Sequence, residues 1–109
     1  MTRPRRPEAV AQARAKALYR ACGCQVWDTS QTRAAHISPG VPDLIVFHPR
    51  SRRHFFHEVK GAHGRLSPAQ QRFLVAAEAC GVAVVVGDEL AARRHLVAVG
   101  IIAMELGAA

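Results

Sequence analysis

The sequence predicts an α/β fold in which a mixed central sheet is flanked by helices, in the order α-β-β-β-α-β-α. Three observations predict it. A run of good helix formers opens the chain, two β-rich runs are split by a short proline-containing turn, and a capped helical stretch leads into a glycine-bounded apolar run.

Residues 8–21 are rich in Ala, Gln, Arg, Lys and Leu, with Pro7 suited to a first helical turn and Gly23 to the end. Residues 25–28 read as a short strand, and the polar stretch 29–39, which carries Arg33 and His36, has no periodicity and reads as a loop. Residues 43–48 and 54–60 are β-rich and flank the turn 49–53, so they form a hairpin. Ser67-Pro68-Ala69-Gln70 has an N-cap serine, proline at the first helical position and a glutamine three residues after the cap. Phe73, Leu74, Ala77 and Cys80 continue that helix at three- and four-residue spacing, and Gly81 closes it. The run 82–86 reads as a central strand covered on both faces, and Asp88 caps a last helix that extends to about Val97.

At 109 residues the chain is expected to be a single domain over 1–109, with residues 1–6 a flexible leader. Half the residues are apolar, which suits a packed interior and excludes a mainly disordered chain. The longest apolar runs, 82–86 and 101–104, fall far short of the roughly 20 residues that cross a bilayer. The start also lacks the apolar core of a secretory signal, so a cytoplasmic protein is expected. Cys22, Cys24 and Cys80 form no Cys-x-x-Cys pair, which argues against a disulfide framework or a zinc site and for reduced, partly buried thiols. A net charge of +7 suits a polyanionic partner, and nucleic acid is the obvious one. Thirteen of the 15 basic residues are arginine, so a coding bias toward Arg and Ala accounts for part of that excess.

The hairpin carries the chemistry. A turn centred between Arg50 and Ser51 sets Phe47 opposite His54 and Asp43 opposite Glu58. Directly opposed carboxylates repel and call for positive charge between them. Strand alternation places Lys60 on the face of Glu58, with Ile45, Phe47 and Phe56 beside the site to lower its dielectric. Leu44, Val46, Phe55, His57 and Val59 take the opposite face, so both sides of the sheet are expected to be covered. An acidic pair with an amine alongside is the minimum equipment for metal-assisted phosphodiester hydrolysis, and hard oxygen ligands suit Mg²⁺.

Pro42-Asp43 followed by Glu58-Val59-Lys60 resembles the PD-(D/E)XK nuclease signature. Three blocks in order narrow the likeness: Gly40-Val41-Pro42-Asp43-Leu44, Glu58-Val59-Lys60-Gly61 and Leu66-Ser67-Pro68-Ala69-Gln70, then a Gly-Val strand. Together they resemble the VRR-NUC (virus-type replication-repair nuclease) domain, from about Glu8 to Val86. The resemblance implies a restriction-endonuclease-like core and a Mg²⁺- or Mn²⁺-dependent endonuclease. In it Asp43, Glu58 and the Val59 carbonyl would be metal ligands and Lys60 would position water. It also implies that Glu8 joins the acidic cluster and that Gln70 faces the site. Stand-alone domains of this size resemble phage enzymes that act as homodimers on branched DNA such as four-way junctions.

Local roles compete for two of these residues: Glu8 complements a helix dipole, and Gln70 completes the capping box of Ser67. Arg33, Arg50, Arg52, Arg53 and Arg65 lie on loops and suit phosphate contacts beside the site. Two other readings stay open. One is a nucleic-acid-binding module without catalysis; the other is an accessory subunit whose apolar stretch 101–106 docks on a partner.

Overall fold

A computed structural model describes residues 6–30 and 38–104. The expectations placed on Arg33, on His36 and on the ends of the chain beyond these limits lie outside the described residues. The elements are α1 (Arg6–Ala21), β1 (Gln25–Asp28), β2 (Leu44–His48), β3 (Arg53–Val59), α2 (Pro68–Ala79), β4 (Val84–Gly87) and α3 (Glu89–Ala98). Their order is the one the sequence predicts. Helix α1 begins at Arg6, so the helix takes in the last residue of the expected leader.

The four strands form one sheet in the order β1-β2-β3-β4. Strands β1, β2 and β3 run antiparallel, and β4 joins β3 in parallel after the crossover through α2, as a parallel neighbour requires. The expected central strand 82–86 is thus an edge strand, and β2 and β3 are central. Apolar continuity signals burial but does not distinguish a strand with two neighbours from one with a single neighbour. The β2–β3 turn is a single 3₁₀ turn, Pro49–Ser51, followed by Arg52 in the left-handed region at φ 58°. That turn fixes the register, with Phe47 opposite His54 and Leu44 opposite His57.

One face of the sheet holds the core. Leu44, Val46, Phe55, Val59 and Val85 lie under Ala15 and Tyr19 of α1 and Ala92 and Leu96 of α3. Leu44, Val46 and Leu96 are fully buried, worth roughly 1.5–3 kcal/mol each. Tyr19 meets Phe55 edge to face at 5.4 Å. Ile101 and Ile102 also pack against this cluster, so this part of the apolar tail serves the chain's own core rather than a partner.

Among the described residues the opposite face is only half covered. Phe73 of α2 meets Phe56 of β3 edge to face at 5.1 Å, but Trp27 and Phe47 on β1 and β2 are 51% and 42% exposed. The expectation of a sheet covered on both sides is corrected here: α2 has 12 residues and shields only the β3–β4 half. All three cysteines are free; Cys24 is buried and Cys80, contrary to expectation, is exposed.

Candidate active site at the open end of the hairpin

Asp43 sits one residue before β2, and Glu58 is the penultimate residue of β3. The register that pairs Leu44 with His57 carries Asp43 to the level of Glu58 at the open end of the hairpin. Asp43 Oδ2 accepts a hydrogen bond from the Val59 N–H at 2.9 Å, which holds its carboxylate against β3. Glu58 is buried, and its carboxyl is pushed up to about 9. Burial is the largest cause, followed by a hydrogen bond with Asp43 and the charge of Asp43; Lys60 opposes the shift and the charge of Glu8 adds to it. Lys60 Nζ lies 4.0 Å from Glu58 Oε2.

The backbone is placed as deliberately as the side chains. Phe56 N–H donates to Ala83 O and Lys60 N–H donates to Gly87 O, so even-numbered residues of this stretch direct their peptide groups toward β4. Odd-numbered Val59 directs its N–H and its carbonyl toward β2, where the N–H meets Asp43. Its carbonyl therefore points past the end of β2, on the Asp43 side of Glu58.

Two clamps hold Asp43 at that point. Thr29 donates its N–H to Asp43 O at 2.8 Å and its hydroxyl to Pro42 O. Gly40, at φ +92°, approaches α2 so closely that a β-carbon there would lie 2.3 Å from the Ala69 carbonyl oxygen. Only glycine fits, by conformation and by space. Behind the site, His57 is fully buried. Its Nε2 donates to Gly87 O at 2.8 Å, so Nδ1 is the bare nitrogen and accepts from the Tyr19 hydroxyl at 2.6 Å. Burial, outweighing the bond to Gly87, holds His57 below the usual imidazole range and keeps it neutral. Gly87 O accepts from Lys60 N–H as well, at 3.0 Å.

The predicted residues divide accordingly. Asp43, Glu58 and Lys60 come together, and half-buried Glu8 in the first turn of α1 lies near enough for its charge to act on Glu58. Gln70 is taken up locally: its Oε1 accepts from Ser67 N–H at 2.7 Å while Ser67 Oγ accepts from Gln70 N–H, and this closes the capping box. Arg50, Arg52 and Arg53 are not beside the carboxylates. They occupy the closed end of the hairpin, and Arg53 is five residues along β3 from Glu58, about 17 Å. Arg65 alone of the described set follows the loop that packs on the Lys60 stem at Gly64. Ile45 and Phe56 flank the site half-buried, whereas Phe47 is too exposed to lower its dielectric.

Sequence reasoning missed the Tyr19–His57–Gly87 chain and the Gly40–Ala69 approach. Parity puts His57 on the face away from the carboxylates, as a packed or solvent-tipped histidine; the structure makes it packed, with partners from α1 and from the end of β4, which strand alternation does not reach. Among the described residues no three His, Cys, Asp or Glu side chains group as a ready-made metal centre. Two carboxylates and an adjacent carbonyl are nonetheless the donor set a hard cation uses when it keeps several waters. The proton that Glu58 retains sits where such a charge would replace it.

The model of the VRR-NUC domain matches residues 5–88. The chain belongs to the VRR-NUC family. A solved VRR-NUC domain is 30% identical, covering 84% of this chain and 95% of its own, with a TM-score of 0.68. This likeness fits the four-stranded mixed sheet to a restriction-endonuclease-like core. A solved structure of paFAN1 bound to 2-nucleotide 5′-flap DNA with a gap is 42% identical over 44% of this chain and 9% of its own, with a TM-score of 0.41. Among curated proteins none matches significantly. As a VRR-NUC member the chain is a nuclease domain, and no helix among its described residues is long and apolar enough to cross a membrane.

Proposed function

We propose that this VRR-NUC domain is an endonuclease that hydrolyses DNA phosphodiester bonds, in branched or otherwise structured DNA, with Mg²⁺ or Mn²⁺. The observation that carries the reading is the convergence of Asp43 and Glu58 at one end of the sheet, with the Glu58 carboxyl driven up to about 9 by burial and its acidic neighbour. Asp43, Glu58 and the Val59 carbonyl would hold the cation, with Glu8 adding negative charge from α1. Bound there, a hard divalent ion supplies Lewis-acid activation of water and of the phosphate. Lys60, its stem lodged against Gly64, sets an ammonium beside Glu58, where it orients the attacking water and offsets charge on the phosphate.

Exposed Arg65 contributes a phosphate contact near the site, and Arg50, Arg52 and Arg53 contribute contacts farther along the duplex. Gln70 acts on the site through the start of α2, which its capping box fixes beside Gly40. Branched DNA and a homodimeric state follow from the family resemblance and from the small surface that one domain of this size offers to a junction. A panel of labelled duplex, single-strand, flap and four-way DNA, incubated with Mg²⁺, Mn²⁺ or EDTA, tests the reading. Cleavage that needs the metal and disappears in a folded Asp43→Ala variant is expected. Full activity in that variant, or cleavage that persists in EDTA, overturns it; binding without cleavage of any substrate points to a non-catalytic module.

A further inference from the structure

Strand parity puts Trp27 and Phe47 on the same sheet face as Asp43 and Glu58, but on the half that α2 leaves open. Trp27 is opposite Ile45, and Phe47 is opposite Gln25, so the two rings are diagonal neighbours. They meet edge to face at 5.4 Å and 85°, and the Phe47 ring continues to exposed His54 at 6.4 Å. Aromatic side chains of this size normally bury most of their surface, and here two adjacent rings are held open to solvent by rigid strands.

We propose that Trp27 and Phe47 form a stacking platform for an unpaired nucleobase of the substrate; this deepens the nuclease reading and rests on it. Three features select that occupant. The platform lies on the reaction face: Phe47 is four residues along β2 from Asp43, about 13 Å, or roughly four stacked nucleotides from the cut. At the site end of the same face, Lys60 provides a cation for the phosphates of the same strand, whereas Arg50 and Arg53 at the hairpin tip turn toward the side of the sheet that α1 and α3 cover. A net charge of +7 favours a polyanion, and among polyanions one with flat apolar bases matches two exposed rings. Stacking on aromatic faces requires bases that are not enclosed in a duplex, so the platform selects single-stranded or splayed segments.

Trp27 is the only tryptophan in the chain, and its emission reports directly on this face. The full chain is titrated in EDTA, where the proposed reaction is arrested, with oligodeoxythymidylate of about 12 nucleotides and with a blunt duplex of equal length. Quenching of Trp27 by the single strand is expected, and fluorescence anisotropy of an end-labelled oligonucleotide, which does not need the tryptophan, should give a roughly tenfold loss of single-strand affinity in Phe47→Leu and in Trp27→Leu with little change for the duplex. Both side chains are exposed, and matched melting temperatures establish that the variants fold. Absence of quenching, unchanged single-strand affinity in Phe47→Leu, or a Trp27 signal that depends on protein concentration alone, meaning that a second copy covers the face, overturns the proposal. Quenching in a protein that cleaves nothing removes the nuclease reading and leaves the platform; cleavage without quenching does the reverse.

Discussion

Tyr19 on α1 donates its hydroxyl proton to His57 Nδ1 on β3 at 2.6 Å, and both side chains are fully buried. Burial pushes the Tyr19 hydroxyl upward in pKa, so it remains a donor, and the bond fastens the first helix to the strand that carries Glu58. Tyr19→Phe leaves Nδ1 buried without a partner, at a cost of about 1–3 kcal/mol. Urea unfolding should register a lower midpoint with an unchanged slope.

Glu58 makes the metal-free fold sensitive to alkali. Its carboxyl titrates higher in the fold, at about 9, than in the unfolded chain, near 4.3. The associated stabilisation is complete below the lower value, declines as the pH climbs and is gone past the higher one. In EDTA, wild type should melt at a lower temperature at about pH 9.5 than at pH 6, while Glu58→Gln, which mimics the protonated acid, should lose much less over the same range.

Metal loading should release the same proton. Below about pH 9 the affinity for Mg²⁺ or Mn²⁺ is expected to rise with pH, by at most about tenfold per unit. Calorimetry in two buffers of different ionisation heat measures the release directly. Equal heats in both buffers would place the cation elsewhere.

Lys60→Met keeps an unbranched stem against Gly64 and removes the ammonium. Cleavage should fall by about 10²–10³-fold with little change in melting temperature. Steady-state rates on the preferred substrate, alongside thermal unfolding, separate the two.

Gly40→Ala has no room for its methyl group against the Ala69 carbonyl and sits at φ +92°. The variant should lose roughly 1–3 kcal/mol and bind metal more weakly, because the displaced backbone is two residues from Pro42 and three from Asp43. Differential scanning with and without Mg²⁺ reads both effects.

Much of this is legible in the amino-acid sequence. The turn residues Pro49 to Arg52 set the hairpin register, and period-two alternation then decided that Asp43, Glu58 and Lys60 share a face while His57 and Val59 do not. Ser67 and Gln70 announced the start of α2 because the capping box is a local bond pattern. What could not be read is what depends on contacts between distant segments. Alternating apolar residues on both faces of β2 implied burial of Phe47, yet the length and placement of α2 decide which half of the sheet is shielded. The edge position of β4 likewise depends on where a crossover lands, and the partners of His57 come from elements 38 and 30 residues away.

Thr29 and Gly40 fasten the chain on either side of the stretch from Ser30 to Pro39, one to the backbone of Pro42 and Asp43 and the other to the first turn of α2. The aspartate is thereby pinned from two directions, by the segment that leaves β1 and by the segment that enters α2, so a disturbance at either anchor is transmitted to the carboxylate.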